Sequence, residues 1–239
     1  MTVPEVISKH FDGAMHEADF VQRSQSALEA YGFTAYNTIA CVGVCRDELS
    51  RTLVDEVNAV WGEAFNFSSL AGMLFLGRTG FRAAQDHAPV ERGRERYVYI
   101  AMPHIGVGPA GELGLCHRPG RAGPSSACGA LVALLDELEN GRVDTQIDPD
   151  DIEQSLLKAS LLQRLDRDET PSLLELTHVA RETILSDLER MIALTVETKK
   201  ADYAVLSGVQ IHGPDESNYV KPATFYAMVG GERNEVSLS

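Results

Sequence analysis

The feature that most constrains this chain is the stretch at residues 38–44, almost wholly apolar and rich in β-branched side chains, which gives way at once to a helical pattern. Such a run suits a strand buried on both faces. Leu49, Leu53, Val54, Val57, Val60 and Trp61 then recur at spacings of three and four up to Gly62, which predicts a helix closed by a glycine. Cys45 therefore falls at a strand-to-helix junction. Residues 73–76 and 96–102 read as further strands, the first opening on Gly77 and the second on Pro103, His104 and a glycine-rich stretch. Beyond the turn-rich residues 118–126, Leu131, Leu134, Leu135 and Leu138 predict a helix that ends at Gly141, with Cys128 in or just before its first turn. Asp148-Pro149-Asp150 starts another, carrying Ile152, Leu156, Leu157, Leu161 and Leu162, and a longer helix is expected over residues 172–198. Residues 203–211 and 223–229 read as two closing strands, and residues 233–239 as a frayed tail.

Strands alternating with helices predict an α/β fold, a central sheet flanked by helices. A helical pattern over residues 18–30, stopped at Gly32, adds an N-terminal helical segment within residues 1–35. No repeat, low-complexity tract or linker divides the chain, so residues 1–239 read as a single domain. With 21 Lys+Arg against 35 Asp+Glu the net charge is −14. That balance argues against a nucleic-acid partner and against docking on an anionic membrane, both of which need a basic face. Residues 1–13 carry no apolar core, and the longest apolar run, 130–135, is far below spanning length, so a cytoplasmic location is expected. In that compartment four cysteines do not make a disulfide scaffold, and metal binding, catalysis or burial must account for them.

Cys45, His104 and Cys128 each fall at a strand end or a helix start, where open α/β sheets build their sites. Two thiolates and one imidazole are the ligand set of a catalytic zinc site that keeps its fourth position for water or substrate. Cysteines without a C-x-x-C pair also fit plain packing, the reading given to Cys41. Asp47, two residues after Cys45, is placed either to orient a zinc-bound hydroxide or to cap the following helix. Cys116-His117 and His212 are rival ligands, and His87 is either an outer proton-shuttling group or a surface histidine. Residues 106–111 match G-x-G-x-x-G, but Pro109 and Gly114 deny it the strand-turn-helix context of a dinucleotide site. A third scheme needs no metal and makes Cys128 a thiolate nucleophile activated by His104 and a helix N-terminus.

Taken in order, Thr38-Ile39-Ala40-Cys41-Val42-Gly43-Val44-Cys45-Arg46-Asp47-Glu48, Gly77-Arg78-Thr79-Gly80, Pro103-His104-Ile105-Gly106, Arg118-Pro119-Gly120-Arg121, Ala127-Cys128-Gly129-Ala130-Leu131 and Gly208-Val209-Gln210-Ile211-His212-Gly213 resemble one family. It is the low-CO2-inducible (LCIB-like) family, the θ class of carbonic anhydrases, and the resemblance runs over residues 36–231. It implies a β-carbonic-anhydrase-like α/β fold with extra N-terminal helices, usually dimeric, with zinc held near the subunit interface by Cys45, His104 and Cys128. The implied activity is the reversible hydration of CO2 to bicarbonate by a zinc-bound hydroxide, a hydro-lyase reaction. The alternative is a silent zinc-binding member that binds or senses inorganic carbon or scaffolds a partner. The β-class order Cys-x-Asp-x-Arg is broken here, because Leu49 stands four residues after Cys45. Arg46 is the nearest cationic partner for Asp47, provided that the chain turns there; Arg78, Arg118 and Arg121 are the alternatives. Phe75, Phe81 and Tyr36 are candidates to line an apolar CO2 pocket.

Overall fold

The computed structural model describes residues 2–118, 120–166, 169–214 and 217–238. A first helix, α1 (Val3–His10), and a short strand, β1 (Met15–His16), lead into α2 (Glu17–Glu29). The apolar run forms β2 (Ile39–Gly43), buried at every residue. A 3-10 turn over Glu48–Ser50 then feeds α3 (Arg51–Trp61), and Gly62 stops that helix at φ +83°. Next come β3 (Phe65–Asn66), α4 (Gly77–Gln85), β4 (Val90–Glu91), β5 (Arg94–Ala101) and β6 (His104–Gly106). A two-stranded arm, β7 (Leu115–Cys116) with β8 (Ser125–Ser126), precedes α5 (Gly129–Glu139), α6 (Ile152–Leu162) and α7 (Leu173–Thr195). The chain closes with β9 (Ala201–His212), β10 (Asn218–Val229) and β11 (Glu232–Glu235).

The main sheet runs β1-β10-β9-β5-β2-β3 among the described residues, with β11 on β10, β4 on β5 and β6 on β9. Its centre is parallel: β3, β2, β5 and β9 all run the same way, and β10 closes the sheet antiparallel. Alternate residues feed two cores. Cys41, Tyr97, Tyr99 and Val205 face Phe81, Leu131, Leu157 and Leu176 of α4, α5, α6 and α7. Ala40, Val42, Val98 and Leu206 face Phe20, Leu28, Leu53 and Trp61 of α2 and α3. This is a helix-sheet-helix sandwich, as strands that are apolar on both faces require. No helix among the described residues is long and apolar enough to cross a membrane.

Two sequence-based expectations fail. Residues 73–76 form no strand; the chain has just reversed through Ala71 (φ 54°) and Gly72 (φ +77°), where a Cβ on Gly72 would lie 2.4 Å from the carbonyl oxygen of Met102. Met73 and Leu74 are buried, so a short apolar run carried the burial but not the conformation. The tail is not frayed from residue 233, because β11 pairs with β10 from Glu232 to Glu235. Helix α4 went unread because its start, Gly77-Arg78-Thr79-Gly80, carries no apolar side chain and only Phe81 and Ala84 reach the core.

Leu206 is fully buried at the centre of β9. Leu206→Ala is expected to cost ~2–5 kcal/mol in urea unfolding, through lost transfer energy and the residual cavity.

Candidate metal centre

The parallel strands end at one rim, and the rim gathers the candidate ligands. Past β2 the chain makes one parallel bridge, Cys45 to Ser69, before turning into the helical segment. Pro103 has no N–H to offer the ladder and interrupts β5, yet β6 resumes on β9 in the same register: Ala101 pairs with Ser207 and His104 with Gln210. Cys128 arrives as the N-cap of α5, with extended backbone. The β7–β8 arm that delivers it runs tight against β6, and a Cβ on Gly106 would lie 2.4 Å from the Leu115 carbonyl oxygen.

The three side chains are buried together, with Cys45 6%, His104 0% and Cys128 1% exposed. The two sulfurs lie 3.9 Å apart, and the ligand atoms of all three residues lie within 4.8 Å of one another. Two thiolates on a tetrahedral zinc, at ~2.3 Å each, would sit about 3.8 Å apart. The Nε2 of His104 is buried without a hydrogen-bond partner among the described residues. An orphaned imidazole nitrogen beside two thiols is a soft donor set, and the residues fit a metal ion. The hydrogen bond from Cys128 pushes the Cys45 thiol down, helped by His104 and the Asp47 backbone N–H, while the same bond and burial push Cys128 up. Without a cation the pair favours a single thiolate; a cation is what would hold two.

Asp47 is gripped by Arg118, not by Arg46. Arg118 Nη2 donates to both carboxylate oxygens, at 2.9 Å and 2.7 Å, while Arg46 turns outward to Glu153 at 2.5 Å. The chain does turn after Cys45, but the turn sends the Arg46 side chain toward α6. Arg118 is aimed by Ser125 Oγ (2.5 Å), the Ser126 carbonyl oxygen (3.0 Å) and Cys116 Sγ (3.0 Å), so Cys116 supports the arginine and is not in the ligand cluster. Asp47 also caps, since its Oδ1 accepts from Leu49 N at 3.2 Å. Its carboxylate is outside the ligand cluster. Arg78 and Arg121 are exposed, as is His117, and Pro119 lies outside the described residues.

The expected pocket residues are dispersed. Tyr36 is 95% exposed and precedes β2, at the end of that strand opposite to Cys45, so it cannot line a pocket at the rim of its own chain. Phe81 is fully buried core, with ring centroids 4.7 Å from Phe67 and 5.9 Å from Tyr99. Phe75 lines a separate surface cavity with Leu74, Arg78 and Met191. His87 packs on Phe65, beside Thr38 and Ile39 at the start of β2, away from the rim.

His212 stands behind His104, not beside the sulfurs: its Nε2 is 3.0 Å from His104 Nδ1, and its Nδ1 is 3.0 Å from Asn218 Oδ1. Burial pushes His212 down to about 3, so it is neutral at physiological pH. Glu17, Thr52, Gln210 and Asn218 extend this network; sequence reading passed over Glu17, Thr52 and Asn218 and gave Gln210, which lies in one of the family-like motifs, no role. Single polar residues scattered over the chain carry no spacing signal. Burial raises Glu17 to about 6.

These observations define an α/β protein with a cysteine–histidine–cysteine centre at the carboxyl ends of its parallel strands. The chain belongs to the family of limiting CO2-inducible proteins B/C β-carbonic anhydrases, which it matches over residues 14–229. It is 35% identical to limiting CO2-inducible protein LCIB, whose crystal structure superposes with a TM-score of 0.78 over 97% of each chain. It is 25% identical to the LCIB homologue PtLCIB4, with a TM-score of 0.80 over 98% of this chain and 99% of that one. No curated protein matches.

Two outcomes test the polar frame. A double-mutant cycle of Asp47→Asn and Arg118→Gln is expected to show a coupling of about 0.5–3 kcal/mol in chemical unfolding, and additivity would deny the pair. Glu17 titrates near 6 folded and near 4.5 unfolded, so between those values the native state binds more protons. Its contribution to stability therefore falls as pH rises from 4.5 to 6, by about 2 kcal/mol, and is level above. Unfolding measured against pH should lose that slope in Glu17→Gln.

Proposed function

We propose that this chain is a zinc-dependent carbonic anhydrase that interconverts CO2 and bicarbonate, acting as a homodimer. The observation that carries the reading is the convergence of Cys45, His104 and Cys128, with ligand atoms within 4.8 Å of one another, beside an aspartate that an arginine holds out of the cluster. Membership in a family described as β-carbonic anhydrases supports it. Those three residues would hold the zinc, which when bound acts as a Lewis acid that brings the pKa of a water toward neutrality, less strongly with two thiolates than with three histidines.

The remaining tasks fall to the chain itself. Asp47 Oδ1 already accepts from Leu49 N and Arg118 Nη2, whereas among the described residues Oδ2 accepts only from Arg118 and keeps one acceptor site. That site can take a proton of the attacking water in a hydrogen bond and so aim its oxygen at the carbon of CO2. Arg118 keeps Asp47 from swinging in to close the centre. The burial of all three ligands keeps bulk water away, where fixed dipoles act most strongly.

The deciding measurement is stopped-flow CO2 hydration at mildly alkaline pH on protein of verified zinc content. The expected outcome is one zinc per chain, hydration that disappears with the metal in Cys45→Ala, and Arg118→Gln that keeps zinc but loses about 10²-fold in kcat/KM. Stoichiometric zinc without hydration would overturn the enzyme and leave the silent carbon-binding reading. Protein that takes up no zinc and has an alkylation-sensitive Cys128 would overturn the centre itself. A purely monomeric mass in solution would overturn the dimer.

A further inference from the structure

Behind the ligand cluster a chain of hydrogen bonds runs from an acid to His104, and its polarity can be followed one proton at a time. It begins at Glu17, buried in the first turn of α2. Thr52 Oγ1 donates to Glu17 Oε2 at 2.7 Å, and Gln210 Nε2 donates to the other oxygen at 2.6 Å. An ionised carboxylate only accepts, as does the Leu49 carbonyl oxygen 3.3 Å from the same hydroxyl, so the one hydroxyl proton of Thr52 is committed to these two acceptors. Toward Asn218 the threonine therefore offers a lone pair, which Asn218 Nδ2 meets at 3.2 Å. That contact fixes the amide's orientation and turns Oδ1 to His212.

The imidazoles follow from this. His212 Nδ1, 3.0 Å from an oxygen that can only accept, must carry the ring proton, which leaves Nε2 bare in the neutral ring. His104 Nδ1, 3.0 Å from that bare nitrogen, must then carry its own proton. What remains is His104 Nε2, buried, without a hydrogen-bond partner among the described residues, and beside the sulfurs of Cys45 and Cys128. The opposite tautomer of His104 would set two lone pairs against each other across 3.0 Å.

We infer that His212 is a positioning residue, and that the chain Glu17–Thr52–Asn218–His212 locks His104 in the tautomer that presents the Nε2 lone pair to a metal. The inference rests on the reading of the cluster as a metal centre. The lock is built by strand register: His212 faces Asn218 across the β9–β10 pair, and Gln210 faces His104 across the β6–β9 pair. The link through Asn218 is an amide, which neither takes up nor releases a proton near neutral pH. The chain accordingly sets direction and does not conduct protons.

Long-range 1H–15N spectra of the zinc-loaded full chain give the first test. Protonated Nδ1 on both His104 and His212, with an unprotonated Nε2 on His212, is the expected pattern; a proton on His212 Nε2 overturns the lock. The second test is zinc affinity by chelator competition. His212→Phe, similar in shape but without an acceptor, should lose about 10–100-fold, and His212→Gln, which can again offer an oxygen to His104 Nδ1–H, should recover most of it. Equal affinity in both variants, or equal loss in both, overturns the acceptor role. If His212→Phe fails to fold, the wild-type spectrum decides alone. Failure of the metal reading would look different, because the wild type would then bind no zinc while the same tautomers remained visible in the metal-free chain.

Discussion

The site depends on the registry of β9 with the strands beside it. β9 is buried along its whole length and carries β5 and then β6 along one edge, in a register that survives the interruption at Pro103. A slip of one residue would turn His104 to the other face of the sheet, away from the N-termini of α2 and α3 and from the polar residues waiting there. The same strand sets His212 against Asn218 along its other edge. One element thus places both the inner imidazole and the group behind it. The register is hard to disturb because both faces of β9 are apolar and packed, toward α7 by Tyr203 and Val205 and toward α2 and α3 by Ala204 and Leu206.

Much of this was legible in the sequence, and the parts that were not share a cause. The buried strands announced themselves as apolar runs, and the ligand candidates were the cysteines and histidine found where those runs ended. Tyr36 shows the same logic neglected: it precedes the run at residues 38–44, which already places it at the wrong end of the strand. What the sequence concealed were contacts decided by the direction of a side chain after a turn. Arg46 is adjacent to Asp47 yet points to Glu153, whereas Arg118 reaches Asp47 across a separation of 71 residues. The network from Glu17 to His104 was concealed for the same reason. Each member is an ordinary polar residue until register and helix packing bring them into line.

Arg118 also explains why an arginine is required at its position. Its Nε donates to Glu48, its Nη1 to Ser125, the Ser126 carbonyl and Cys116, and its Nη2 to Asp47. A lysine ammonium at the same place has three donors on one atom and could not span these partners. The guanidinium ties the turn after Cys45 to the arm that delivers Cys128.

The electrostatics follow from the helix ends. Glu17 lies in the first turn of α2, Asp47 caps the turn that starts α3, and Cys128 caps α5. Each is a group that carries or can carry negative charge at a helix N-terminus, where unpaired N–H groups and the macrodipole favour it. In a chain of net charge −14, gathering two buried thiols, one buried carboxylate and one half-buried carboxylate runs against the overall field. Three helix ends and one arginine offset part of that cost. A cation held by Cys45, His104 and Cys128, as proposed, would offset the rest, because it would let both thiols ionise where the pair alone favours a single thiolate.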